Sequence, residues 1–251
     1  MAKKIELSKP PVIEVVIGSQ FDGPIFDNSY VYDFFQKIKD EYPIVRENPP
    51  LPSIISNPNK PDQTRILQGF NSRRFFINKT GDKLIQLQTD RLLFNWRKNT
   101  GNESYPRFSS VLEDFLKFFH LISEDIKEIT SKVNQLEITF IDHILIKDFG
   151  TNNYVINEIF SDFKIKQELR SFDCSFSIPQ EDLNGNLNLS IKTAMNISDQ
   201  NKIIICESTC RGNKRADETM NTWYQKAHEV LLENFIDFFT DKSKKVWGSK
   251  Q

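Results

Sequence analysis

The stretch from Leu84 to Lys98, LIQLQTDRLLFNWRK, constrains the fold more than any other part of the chain. Apolar and polar residues alternate on both sides of a short polar break at Thr89-Asp90-Arg91. Such alternation is typical of half-buried strands, because successive side chains leave opposite faces of a sheet. The stretch therefore predicts a tight hairpin with one packed face. Its second face is expected to carry the polar side chains of Gln86, Gln88, Asn95 and Arg97.

Composition indicates a globular protein and argues against several functional classes. The chain has 251 residues, of which 38% are hydrophobic and 27% charged, and only 9 are glycines. Few glycines argue against loops that cradle phosphates and against doubly wound nucleotide folds. A formal net charge of -1 provides no global electrostatic attraction to nucleic acid or to an anionic membrane surface.

The cellular setting predicted from the chain is the cytoplasm. No apolar run approaches the ~18 residues of a membrane-spanning helix, and the N-terminus lacks the apolar core of a signal peptide. Three scattered cysteines do not make a disulfide framework. A protein that neither spans nor anchors to a membrane is therefore expected.

The two halves of the chain predict the same order of elements. Each half runs strand, helix, three antiparallel strands and a long amphipathic helix, over about 12–129 and 133–241. The predicted fold class is α+β, with pseudo-repeated units at 1–131 and 132–251 in one compact globule. Each unit is expected to be a four-stranded antiparallel sheet with helices on one face. The two sheets could join edge to edge and so hide their open strands.

One long segment lacks any periodic pattern. Residues 47–63, ENPPLPSIISNPNKPDQ, contain five prolines and predict an exposed irregular loop. Its Pro49-Pro50-Leu51-Pro52 core could bind a partner as a polyproline strand or could serve as a stiff connector.

The connection from the hairpin to the next helix suggests a ligand site. Tyr105-Pro106-Arg107 lead into a helix whose cap is predicted at Ser109 or Ser110, with Glu113 completing a capping box. Arginine donors, an aromatic face and a helix N-terminus favour an anion or a nucleotide. The alternative is structural, with a core tryptophan, a surface ion pair and a fixed helix entry. The candidate ligand-binding residues are Gln86, Gln88, Asn95, Trp96, Arg97, Tyr105 and Arg107.

Acidic residues and histidines do not form a recognisable catalytic or metal site. Asp142 and His143 are adjacent in a predicted strand, so they point to opposite faces and cannot form a dyad. His143 could act as a general base or as a hydrogen-bonded structural histidine. His120 and His228 are isolated and have no ligand-spaced carboxylates. No metal, cofactor or catalytic residue is predicted.

Several motifs occur in a fixed order along nearly the whole chain. They are PPVIEVVIGSQF, LIQLQTDRLLFNWRK followed by ESYPRFSSVLEDF, LEITFIDHILI and the closing WYQKAHEVLLENFIDFF. In this the chain resembles a sporadically distributed family of conserved hypothetical prokaryotic proteins of similar length. Members typically carry an Arg-Tyr-Ile-Asn-like central strand, where this chain has Thr139-Phe140-Ile141-Asp142. The resemblance implies a bacterial cytoplasmic setting and mobile or defence-associated gene neighbourhoods, with no catalytic residues to carry over.

Three functional hypotheses follow. The leading one is a non-enzymatic binding component of a prokaryotic system, defence or toxin–antitoxin associated, with a protein partner or a second copy of the chain. The alternative is a nucleotide or small-anion binding protein, with or without catalysis, that uses the polar hairpin face. The third is RNA or DNA binding through a basic strip interleaved with aromatic residues. That strip would contain Arg73, Arg74, Arg91, Lys98, Lys214 and Arg215.

Overall fold

A computed structural model describes residues 7–65, 72–101, 103–165, 167, 169–196 and 200–249 of the protein. Within these ranges the chain forms eleven β-strands and five α-helices. The strands of the first half are β1 (Val12–Phe21), β2 (Ile44–Asn48), β3 (Ser53–Asn57), β4 (Lys60–Arg65), β5 (Arg73–Ile77), β6 (Lys83–Gln88) and β7 (Arg91–Arg97). Those of the second half are β8 (Val133–Leu145), β9 (Asp173–Gln180), β10 (Gly185–Met195) and β11 (Lys202–Gly212). The helices are α1 (Asn28–Ile38), α2 (Phe108–Asp125), α3 (Ile156–Ile159), α4 (Met220–Phe238) and α5 (Asp241–Val246).

Nine strands form one large antiparallel sheet in the order β2-β5-β6-β7-β1-β8-β11-β10-β9. The central strand β1 pairs with β7 on one side and with β8 on the other. The prediction of two four-stranded sheets is therefore wrong, since the halves contribute five and four strands to a single sheet. The strands of the two halves do meet edge to edge, as the sequence suggested, because β1 pairs with β8. This pairing covers an edge that each half would otherwise leave open. The chain is thus mixed α and β, built on a large antiparallel sheet.

The hairpin predicted at the middle of the first half is present as β6 and β7, with Gln88 opposite Arg91 next to the turn. Its apolar positions, including Phe94 and Trp96, are buried in the core. Contrary to the prediction of an open polar face, Gln86, Gln88 and Asn95 are also buried. Both faces of the hairpin are therefore covered.

The apolar face of the sheet is covered by the two long helices. Helix α2 contacts β1 and β7, and α4 contacts β8 and β11. The rings of Phe118 and Phe94 stack with centroids 5.9 Å apart, and Phe115 meets Tyr224 edge-on at 5.4 Å. The Tyr224 hydroxyl also donates to the Gly18 carbonyl of β1 at 2.8 Å. The helices and the central strands consequently share one core.

The proline-rich segment matches the predicted exposed loop only at 49–52, where no strand forms and all three prolines are exposed. It contains β3 and β4, which form a hairpin of their own against the polar face of the large sheet. The Gln20 side chain donates to the Ile54 carbonyl and accepts from the Ile54 N–H, both at 3.0 Å. Gln88 bonds the Leu51 carbonyl and N–H in the same way, at 2.8 and 2.6 Å. A side-chain amide carries the same donor and acceptor as a peptide unit, so these glutamines take the place of a neighbouring strand.

An ionic cluster fixes the far end of this hairpin. Arg211 of β11 donates to Glu137 at 2.8 Å and to Asp62 of β4 at 3.3 Å. Burial alone would raise the pKa of the Glu137 carboxyl, but the Arg211 guanidinium holds that pKa below its usual value. Asn186 donates to the Asn57 carbonyl at 3.0 Å on the same side. The polar face of the sheet is therefore a docking surface for the chain's own hairpin.

No helix in the described ranges combines the length and the apolar composition that crossing a membrane requires.

Candidate functional site

A cavity of about 640 Å³, here called the central cavity, opens between the start of α2, the middle of α4 and the sheet. It lies where the two halves of the chain meet. The sheet supplies Val12, Phe140, Asp142 and Ser208. The other walls are Tyr105, Arg107, Phe108 and Ser109 on one side and Gln225, His228, Glu229, Leu231, Leu232 and Phe235 on the other, with Leu7 and Pro10 at the rim.

The walls of the central cavity are largely apolar and are held by aromatic stacking. The Phe108 ring at the start of α2 lies flat on the imidazole of His228 in α4, with centroids 4.0 Å apart and planes 5° from parallel. Phe108 also packs on Phe140 of β8 at 6.4 Å. These contacts join two helices and one strand, so the shape of the cavity is set by rigid elements.

Asp142 is the most unusual residue in the central cavity. It pairs with Cys206 in the sheet, on the same face as Phe140 and Ile144, and only 1% of its surface is exposed. Its Oδ1 atom has no hydrogen-bond partner among the described residues. Burial raises the pKa of Asp142 to about 7, although the positive charge of Lys98 opposes the shift. A buried carboxyl oxygen without a partner is rare in folded proteins and calls for an explanation.

Tyr105 is a second polar group without a visible partner. Its hydroxyl is buried and forms no hydrogen bond within the described part of the chain. The ring is held against Trp96 and Phe140, with centroids 5.3 and 6.3 Å away. Burial raises the pKa of the phenol, and the negative charge of Asp142 acts in the same direction. The hydroxyl therefore stays protonated and is able to donate.

The start of α2 lies beside these two residues and has an unusual backbone. Arg107, the N-cap, has φ 76° and ψ 154°, a region that residues other than glycine rarely adopt. The N-cap makes no side-chain cap hydrogen bond, and Ser109 and Ser110 lie inside the helix, so the predicted cap at either serine with Glu113 is wrong. Arg107 itself donates to the Leu7 carbonyl at 3.4 Å. The wall of the central cavity thus includes a guanidinium and the partial positive charge of a helix N-terminus.

The structure divides the residues predicted from sequence between two places. Tyr105 and Arg107 line the central cavity, and Trp96 supports it from behind Tyr105. The four hairpin residues lie on the opposite face of the sheet. There Gln86 donates to Asn95 at 2.7 Å, Gln88 binds Leu51, and Arg97 donates to the Gly81 carbonyl at 3.0 Å. The seven candidates therefore do not form one site.

Asp142 is the residue that sequence reasoning missed as part of a site. Its signal was present: in β8 the positions Ile138, Phe140, Asp142 and Ile144 alternate onto one face, and three of the four are apolar. An acidic residue on an otherwise apolar strand face is expected to be buried, and buried carboxyls mark functional sites more often than exposed ones do.

Metal ligation has no support in the side-chain arrangement. No group of three or more histidine, cysteine, aspartate or glutamate side chains with suitable spacing occurs in the ranges that the structure covers.

The chain was then compared with known proteins. No family model matches its sequence, and no curated protein does so either. The resemblance to a prokaryotic family of similar length accordingly stays a prediction, as do the defence-related role and the protein partner.

Proposed function

We propose that the protein is a non-enzymatic binding protein whose ligand is a small molecule held in the central cavity. The observation that carries the proposal is the buried Asp142, a residue that lines this cavity and whose Oδ1 atom has no partner among the described residues. Leaving a buried acceptor unsatisfied destabilises a fold by about 1–3 kcal/mol. A ligand donor that reaches this atom would offset that loss.

The size and lining of the central cavity also support the proposal. Sites for small molecules typically span about 300–1,000 Å³, with apolar walls and a few converging polar groups. The central cavity, at about 640 Å³, lies within that range. Asp142 and Ser208 line it from the sheet and Tyr105 from the segment before α2, and apolar side chains of α4 form a further wall.

We further propose that the two halves are a structural pseudo-repeat and that the site lies at their junction. From the centre outward, the first half runs β1-β7-β6-β5, with β2 as an additional outer strand, and the second runs β8-β11-β10-β9. In each half a long helix follows the third of the sequential strands, which are β7 and β11. Under this proposal α2 and α4 are equivalent helices on one face of the sheet, and the cavity opens between them.

A second candidate function is the binding of an anion or a nucleotide in the same cavity. It is favoured by Arg107 and by the uncapped N-terminus of α2, both of which are positive. The site predicted on the polar hairpin face is less suited to a ligand, because Gln88 binds Leu51, next to β3, and Gln86 and Asn95 bind each other.

Filling the cavity tests the proposal. In a thermal-shift screen of ring-containing amines, acids and amides, we expect ligands that raise the melting temperature of the wild type by about 5 °C at a hundredfold excess over Kd. Leu232→Trp, which places an indole in the cavity, should abolish these shifts. The neighbouring surface variant Glu233→Trp is the matched control and should keep them. Shifts that persist in Leu232→Trp, or no binding by any compound, would refute the proposal.

A further inference from the structure

We infer that the central cavity selects an amphiphilic amine, whose protonated nitrogen donates to Asp142 while its apolar body lies along α4. This inference rests on the proposed function and specifies the chemical class of its ligand. Two groups of the central cavity, the Asp142 carboxyl and the Tyr105 hydroxyl, have atoms without partners among the described residues.

Asp142 determines which hydrogen-bonding group the ligand has to carry. An ionised carboxylate only accepts hydrogen bonds, so a ligand that satisfies Oδ1 has to bring a donor. A protonated amine brings up to three donors together with the opposite charge, and charge-assisted bonds are about twice as strong as neutral ones. The amine would also favour the ionised form of Asp142. Tyr105 lines the same cavity, and its hydroxyl, which has no partner among the described residues, could donate to a further polar atom of the ligand.

Titratable and charged groups face Asp142 from the surrounding elements. They are Lys98 after β7, Tyr105 and Arg107 before α2, Cys206 on β11, and His228 and Glu229 on α4. Burial raises the pKa of the Cys206 thiol, which therefore stays neutral. Lys98 acts on Asp142 only through its field, since no ion pair joins them within the described ranges. Among the described residues, therefore, no cation forms a direct ion pair with the Asp142 carboxylate.

The apolar wall of the central cavity determines what the rest of the ligand can be. Val12, Phe140, Leu231, Leu232 and Phe235 give the cavity a mainly apolar wall. Burying a methylene group against such a wall contributes about 0.8 kcal/mol, which favours an alkyl or aryl body over a polar one. A carboxylate ligand, by contrast, would meet repulsion from an ionised Asp142. An amine with a hydrophobic body fits both ends of the site.

Calorimetry with three matched compounds tests the inference: 2-phenylethylamine, 2-phenylethanol and 3-phenylpropanoate. The amine should bind the wild type more tightly than either of the others at pH 8. Its affinity should fall about tenfold between pH 8 and pH 6, because the ionised fraction of a carboxyl with a pKa of about 7 falls by that factor. A ligand that needs the protonated acid would show the opposite slope.

Variants separate Asp142 from its neighbours. Asp142→Asn should weaken binding of the amine at pH 8 at least tenfold and remove its pH dependence, while leaving the affinity for 2-phenylethanol unchanged. His228→Gln controls for the histidine that lines the cavity, and Glu229→Gln controls for the second carboxylate. Both controls should retain the slope. Loss of the slope in either control but not in Asp142→Asn would overturn the inference.

The outcomes also distinguish this inference from the proposed function. If the alcohol or the acid binds as tightly as the amine, and Leu232→Trp abolishes that binding, then the cavity is a ligand site but the amine assignment is wrong. If none of the compounds binds and the wider screen also yields nothing, both proposals fail.

Discussion

Replacing Asp142 with asparagine is expected to stabilise the protein at high pH relative to the wild type. Burial raises the pKa of this carboxyl from 3.8 to about 7. A shift of about three pKa units at about 1.4 kcal/mol each corresponds to about 4 kcal/mol. The difference in free energy of unfolding between the variant and the wild type should therefore change by about 4 kcal/mol in favour of the variant between pH 4 and pH 8.

The sign follows from where the proton binds. The folded protein holds the Asp142 proton to a higher pH than the unfolded chain does, so the group stabilises the fold fully below about pH 4. That contribution is lost as the pH rises through about 7, whereas asparagine does not titrate. Urea unfolding at several pH values measures the difference. Asp148→Asn removes a charge from the surface and is the matched control. A difference between Asp142→Asn and the wild type that does not change with pH would contradict the prediction.

Replacing Arg211 with methionine is expected to destabilise the protein by about 3–5 kcal/mol, because it removes the ion-pair partner of the buried Glu137. Arg211 also contacts Asp62, so the variant should loosen the β3–β4 hairpin. The exposed pair of Arg215 and Asp182 provides a control of the same chemistry. Arg215→Met should change the free energy of unfolding by less than about 1 kcal/mol.

A double variant shows whether the buried charge is the cause. Glu137→Gln combined with Arg211→Met removes both charges and should recover much of the stability that Arg211→Met alone loses. Urea unfolding of the wild type, Arg211→Met, Glu137→Gln and the double variant gives these differences as a double-mutant cycle. Equal losses for Arg211→Met and Arg215→Met would show that the ionic cluster does not hold the hairpin.

The sequence was informative where local patterns decide the structure. The alternation around Thr89-Asp90-Arg91 predicts β6 and β7, because burial of one strand face leaves a period of two in the residues themselves. The apolar stripe of α2 at helical spacing is a local signal of the same kind. Both give correct elements, and together they indicate the α+β class.

Contacts between distant residues were not accessible in this way. The β3–β4 hairpin is held by Gln20, Gln88 and Arg211, which are polar and far from it in sequence, so no periodicity marks the docking. Asp142 becomes part of a site only when α4 closes over β8 from the other end of the chain. The start of α2 differs from the predicted cap because Arg107 adopts a strained conformation that cap statistics do not anticipate.

NMR titration of the Asp142 carboxyl carbon tests most directly whether this buried carboxyl lacks a hydrogen-bond partner until a ligand binds. Asp142→Asn is used to assign the signal. A midpoint of about pH 7 is expected in the free protein, and it should move to lower pH when 2-phenylethylamine is added. A midpoint close to the ordinary 3.8, unchanged by the amine, would contradict the account, since it would mean that the carboxyl already has water or a partner.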